Sequence, residues 1–336
     1  MQEHRDAAET DVNDHPDTDV SGAWDADNQA WWDWYVSLAD NDDEITEFEA
    51  AVPLPDIPLP DDDVIFGELA EPYDLTAADI AFFQENGFIK LKGVFSPGAV
   101  LRLRALLIER LTAEFGSGLD GCVRDRFLSL EMIWQDHPLL HAFVLSPRVA
   151  KICADLLRVP AVRLYHDNVL SKEPGCGRTP WHFDDHHFPL DTHDVVTAWA
   201  PAQTIPLAMG PLAFAYPLDV HELVDAVAFE KSTTSYDKNV AQVFARNGVA
   251  VDETPFELGE VSFHHNLNFH TAARNRTNQS RIVLANTYYA DGTRVVDAPT
   301  MVSGDWQKFM PGVGPGELAA SPLNPICWPV PSDSVK

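Results

Sequence analysis

Apolar residues along this chain change their spacing twice, and each change marks a boundary. Over residues 1 to about 22 no apolar position recurs among the acids, which predicts disorder. The next stretch sets Trp24, Trp31, Trp32, Trp34 and Tyr35 among aspartates. From Ala51 to Pro60 prolines then alternate with aliphatic residues, which predicts an extended, polyproline-like arm. The arm either packs its aromatic residues on the body or serves as a docking segment or active-site cover. The folded body is expected to begin near Leu75, giving an N-terminal arm over 1–74 and one domain over 75–336. Thr76 with Asp79 has the form of a capping box opening a helix to Glu85, with Gly87 suited to close it. Ser96-Pro97 and Ser146-Pro147 each set a cap before a proline at the first helical position, predicting helices over 97–114 and 147–157.

From Ala161 onward the pattern is that of strands. Runs rich in Val, Phe, Tyr and Trp cover 162–170, 195–200, 212–216, 259–264 and 281–289, bounded by Gly, Pro and Asn, and a short strand is expected earlier at Phe88–Leu91. Helices first and strands later imply a sheet-based core buttressed by helices.

Composition narrows the class. The 336 residues are 45% hydrophobic and 10% aromatic, as in globular proteins, and no apolar run approaches the roughly 18 residues of a membrane span. Met1 to Asp11 is polar and acidic, unlike a signal or transit peptide, so a cytoplasmic location is expected. Cys122, Cys153, Cys176 and Cys327 form no Cys-x-x-Cys pair and read as reduced thiols. Residues 1–74 hold 23 Asp and Glu against Arg5 alone, while the remainder holds 29 against 22 Lys and Arg. The acidity thus belongs to the arm. It disfavours nucleic acid and anionic membranes as partners, and a small-molecule substrate is expected, the oligomeric state being left open.

The candidate chemistry lies in His182-Phe183-Asp184, followed downstream by His270 and Arg281. Two residues apart on a strand, His182 and Asp184 would face the same side. Among 13 histidines such a triplet arises by chance, and a structural pair is the ordinary explanation. Context changes the balance: a Gly- and Pro-rich loop, 172–181, leads into the pair, and a turn and strand from Gly259 lead to His265 and His270. Two imidazoles and a carboxylate can occupy one face of a ferrous ion and leave the other open to reacting ligands. Asp185, His187 and His265 are candidates for substrate contact, with loop hydrogen bonding as the alternative. Of His264 and His265, which alternate faces, one is expected to line the cavity. His166 is read as packed against the sheet.

With Trp181-His182-x-Asp184, a distal histidine and an arginine at this spacing, the chain from about Leu75 onward resembles the phytanoyl-CoA dioxygenase family of iron(II)- and 2-oxoglutarate-dependent oxygenases. The resemblance implies a mainly β fold with flanking helices, a distorted double-stranded β-helix or cupin-like jelly roll. It implies iron(II) held by His182, Asp184 and His270, with 2-oxoglutarate and O2 as co-substrates. Arg281 would take the distal carboxylate of 2-oxoglutarate through a two-pronged hydrogen bond, with Asn168 and Trp199 as further co-substrate contacts. Halogenating relatives replace the carboxylate ligand by a small residue, so Asp184 implies hydroxylation or a related oxidation. Ala272 departs from the pattern, standing where many members offer a hydroxyl, and Tyr216-Pro217-Leu218-Asp219 replaces the common turn there. Two rivals remain: a metal-dependent hydrolase or isomerase on the same scaffold, and a non-catalytic binding protein.

Overall fold

The computed structural model describes residues 34–39, 45, 47–116, 126–224, 227, 234–299 and 306–330. The disorder expected for residues 1 to about 22, Trp24, Trp31, Trp32 and Cys122 all lie outside them. Before the main strands come the helices α1 (Asp62–Ala70), α2 (Ala77–Asn86), α3 (Pro97–Phe115), α4 (Pro138–Val144) and α5 (Pro147–Leu157). The caps do what their residue types require. Thr76 and Asp79 form a reciprocal capping box on α2. Ser96 accepts the Ala99 amide at 3.3 Å on α3, and Ser146 that of Val149 at 3.4 Å on α5.

Helix α1 precedes Leu75, where the body is expected to begin. Its Ile65 and Leu69 are buried with the helical core, Glu68 accepts the Ser96 amide at 2.7 Å, and Ser146 donates to the Leu69 carbonyl at 3.0 Å. Residues 51–60 carry neither helix nor strand.

The strands are β1 (Phe88–Leu91), β2 (Phe127–Glu131), β3 (Val162–Lys172), β4 (Thr179–His182), β5 (Val195–Pro201), β6 (Leu212–Tyr216), β7 (Ala250–Asp252), β8 (Val261–His265), β9 (His270–Ala272), β10 (Arg281–Ala290) and β11 (Ile326–Trp328), with helix α6 (Ser235–Asn247) between β6 and β7. They form two antiparallel sheets, a large one ordered β1-β8-β5-β10-β3-β11 with β2 also on β3, and a small one ordered β4-β9-β6-β7. Together they make the double-stranded β-helix, with helices packed on the outside of the large sheet.

Strand β10 shows why this sheet is rigid. Ile282, Leu284 and Tyr288 face the helices and join the core of α3 and α5, while Val283 and Ala285 face the interior beside Trp199, Phe214 and Phe256. Each such aliphatic side chain contributes about 1.5–3 kcal/mol on burial. Both faces being apolar, the strand has a single register in which Leu284 meets Val169 and Ala200.

Cys153 and Cys327 are buried free thiols, and Cys176 is buried as well. Among the described residues no helix is long and apolar enough to cross a membrane.

Candidate metal centre

Strand β4 ends at His182, which pairs in register with His270 on β9 and brings the two rings to 4.1 Å between centroids. Asp184 reaches them by a different route from the one its spacing suggests. The strand has stopped, and Asp184 sits at φ −91°, ψ −11°, opening a short 3-10 turn over Asp185–His187. Its amide donates to the Asn266 carbonyl at 2.8 Å, which fixes the bend. Facing by strand alternation is therefore corrected to facing by a turn. The result is that one ligand atom from each of His182, Asp184 and His270 lies within 4.8 Å of the others.

Both imidazoles are aimed by backbone. Nδ1 of His182 is 2.8 Å from the Pro180 carbonyl, and Nδ1 of His270 is 3.0 Å from the Asn268 carbonyl. A carbonyl needs a donor, so the proton sits on Nδ1 and the Nε2 lone pair of each ring points to the cluster. Asn268 is itself held, donating to the Asn86 and Ala215 carbonyls at 3.1 and 2.9 Å. Gly87, at φ 73°, lets this happen, since a Cβ there would stand 2.5 Å from Leu218 and 3.2 Å from the Asn268 amide. Burial lowers the pKa of both histidines, so both are ready as neutral ligands. Burial pushes Asp184 the opposite way, but His270, His264 and His182 together outweigh it and hold the carboxyl well below the usual range.

Sequence reasoning left open which of His264 and His265 faces inward. Thr197 pairs with His264 in register, and His264 Nε2 lies 3.5 Å from Asp184 Oδ2, while Oδ1 faces His182 and His270 at 3.7 and 3.9 Å. The two carboxylate oxygens are thus divided, one toward the ligands and one toward His264. His265 turns outward, accepting the Leu267 amide at 3.2 Å, its ring 6.3 Å from that of Phe83. Asp185 accepts from the Asn266 side chain at 2.7 Å and lies 2.7 Å from His193 Nδ1. The amide of His187 donates to the Asp184 carbonyl at 2.9 Å, in the same turn. His166 packs its ring on Phe309 at 4.6 Å.

Arg281 opens β10 fully buried. Its guanidinium lies 5.2 Å from the Trp199 ring and donates to the Gly210 carbonyl, while its Nε has no hydrogen-bond partner among the described residues. No ion pair with a described acid neutralises it. Burial lowers its pKa to about 10, so it stays cationic. A buried cation with an orphaned donor suits an anionic ligand. Asn168 stands across Ala285 from Trp199, its carbonyl oxygen accepting from Ser129 at 2.8 Å. Lys172 pairs with Arg281 in register and donates to the Ala272 and Ala273 carbonyls at 3.2 and 2.9 Å, tying the end of β9 to the anchor strand.

Fold and site together define a double-stranded β-helix with a two-histidine, one-carboxylate centre and a buried arginine beside it. The profile of the family Phytanoyl-CoA dioxygenase (PhyH) matches residues 83–283, more than half of the chain, and the chain belongs to that family of the iron and 2-oxoglutarate-dependent oxygenase superfamily. It is 25% identical over 261 residues to the peroxisomal phytanoyl-CoA dioxygenase of Mus musculus, covering 70% of this chain and 73% of the relative. Among solved structures it resembles the non-heme alpha-ketoglutarate-dependent carbocyclase SnoK from nogalamycin biosynthesis, with a TM-score of 0.60, 23% identity, and 76% of this chain and 99% of that one covered. It also resembles EctD from S. alaskensis, solved with 2-oxoglutarate and 5-hydroxyectoine, with a TM-score of 0.53, 18% identity, and 68% of this chain and 82% of that one covered.

Proposed function

We propose that this protein oxidises an unactivated C–H bond of a small organic metabolite, by hydroxylation or by a related desaturation or ring closure. The observation that carries the proposal is the convergence of His182, Asp184 and His270 within 4.8 Å, with buried Arg281 on the neighbouring sheet. Iron(II) and 2-oxoglutarate are the metal and co-substrate of such a site. When bound they supply dioxygen activation, with 2-oxoglutarate oxidised to succinate and carbon dioxide.

The chain's own residues supply the rest. His182, Asp184 and His270 would hold the metal. Arg281 would pair with the distal carboxylate of 2-oxoglutarate. Trp199, 2% exposed, walls the guanidinium from water, which strengthens that pairing. Because the buried guanidinium of Arg281 suits a carboxylate beside the metal, an oxygenase that uses 2-oxoglutarate accounts for more of the site than either rival. A coenzyme A thioester is a poorer fit as substrate: the body carries 29 acidic against 22 basic residues outside the arm, a poor match to several phosphates.

Incubation of the iron-loaded protein with 2-oxoglutarate under 18O2 tests the reading. The expected outcome is succinate carrying one 18O atom, lost in Arg281→Ala; unchanged 2-oxoglutarate in iron-loaded wild type would overturn it.

A further inference from the structure

The N-terminal arm does not stay clear of the metal centre. Over residues 34–39, Tyr35, Leu38 and Ala39 are all buried. The ring of Tyr35 meets the ring of His182 edge to face, 5.5 Å between centroids at 86°. Burial and then the charges of Asp184, Tyr236 and Asp237 raise the pKa of its phenol, so the ring has both the metal ligands and the start of α6 near it. That helix is tied to β4, since Asp237 accepts the Trp181 amide at 2.9 Å and Arg178 at 3.3 Å.

A second fastening holds the arm further along. The amide of Glu49 donates to the Arg276 carbonyl at 2.9 Å, and its own carbonyl accepts from Asn278 at 2.9 Å. The amide of Ala51 donates to the Asn278 side chain at 3.1 Å. The loop so gripped joins β9, which carries His270, to β10, which begins at Arg281. The arm is therefore fixed both at a metal ligand and at the link between the distal ligand and the anchor. Both arm segments lie before residue 83, where the family match begins.

We propose that residues 34–39 form a wall of the active site, and that Tyr35 is its specificity-determining residue. The inference rests on the oxygenase reading above. The ring stands at the His182 side of the cluster and narrows the space open to substrate. The wall admits a compact organic molecule whose apolar part lies against the ring. An acid-rich tail with no part in the site would gain nothing by burying an aromatic ring on a ligand.

The full-length chain loaded with Co(II) provides the test, read as the rate at which a chromophoric chelator removes the metal. Tyr35→Ala is expected to release Co(II) about tenfold faster, and Tyr35→Phe, which keeps the ring, to stay within about twofold of wild type. Glu49→Pro removes the amide that grips Arg276 without touching the site, and is expected to speed release in the same direction. Release from Tyr35→Ala and Glu49→Pro at the wild-type rate overturns the wall, as does release from Tyr35→Phe as fast as from Tyr35→Ala. Failure of the underlying reading looks different: wild type would hold metal, and the variants would still separate, yet no 2-oxoglutarate would bind.

Discussion

Both faces of the large sheet are covered, the outer by α3 and α5 and the inner by the packed interior of the roll, so every residue of β5 is buried. The small sheet is built differently. Its β7 edge exposes Ala250 and Val251, and β4 and β9 have only four and three residues. Arg281, the proposed co-substrate anchor, stands on the first sheet, and His182 and His270 of the candidate metal centre stand on the second. A long rigid strand suits a single cation that must wait at a fixed distance. Short strands are sufficient for ligands because carbonyls two residues upstream and one turn at Asp184 aim them. Metal holding and co-substrate anchoring would thus fall on different sheets.

The strongest way to break this comparison is at the carboxylate. Asp184→Ala should abolish stoichiometric ferrous binding while leaving the unfolding midpoint of the metal-free protein near wild type, since the removed group anchors no apolar core; metal titration and urea unfolding measure both. Next is Arg281→Ala. Loss of one partner of a buried charge pair costs about 2–5 kcal/mol, so the Kd for 2-oxoglutarate should rise roughly thirtyfold to several thousandfold with ferrous affinity little changed. Comparable loss of both would show that the two sheets do not act separately.

Stability sharpens the contrast from the other side. Leu284→Ala, in the helical core, should cost about 2–5 kcal/mol of unfolding free energy, and Val251→Ala, exposed on β7, less than about 0.5 kcal/mol. Equal costs would contradict the division. A smaller effect is expected at His264, which holds the outer oxygen of Asp184. His264→Phe should weaken ferrous binding by about tenfold while the Kd for 2-oxoglutarate in the loaded protein stays near wild type.

The mildest effect concerns acid. Burial first, and the charge of Lys308 next, lower His166 to about 4; burial and then His193 do the same for His265. Both remain neutral in the fold but take up protons near 6.5 once unfolded, so between 6.5 and about 4 the unfolded chain binds more protons and stability falls with pH. Asp167, raised to about 7 by burial, and Glu173, also raised by burial, oppose this slope, while His182 and His270, lowered by burial, add to it. The urea midpoint of the metal-free protein should hold above pH 6.5 and drop below it; a midpoint that rises on acidification would contradict the assignment.

Some of this was legible in residue order and some was not, for physical reasons. The runs behind β5, β6 and β10 are readable because a strand buried on both faces is apolar throughout, and the helices at Ser96 and Ser146 because caps have few chemical solutions. Helix α1 escapes notice: its aspartates and Gly67 are unlike a helix interior, and only Ile65 and Leu69 are buried. Strands β7 and β11, at three residues each, carry too short a pattern. His182, Asp184 and His270 are recoverable from type and spacing, but not the turn at Asp184, since a strand would give the same facing. Which of His264 and His265 points inward depends on the β5–β8 register, and the approach of Tyr35 to His182 depends on the path of the arm. Neither is encoded locally.

The central claim is that the two sheets together bind ferrous iron and 2-oxoglutarate as one chelate. Anaerobic addition of 2-oxoglutarate to the iron-loaded protein measures this most directly, through the weak visible charge-transfer band of the chelate. The band should appear in wild type, saturate at one 2-oxoglutarate per iron, and be lost at the same concentrations in Arg281→Ala. Its absence from wild-type protein shown to contain iron would contradict the account.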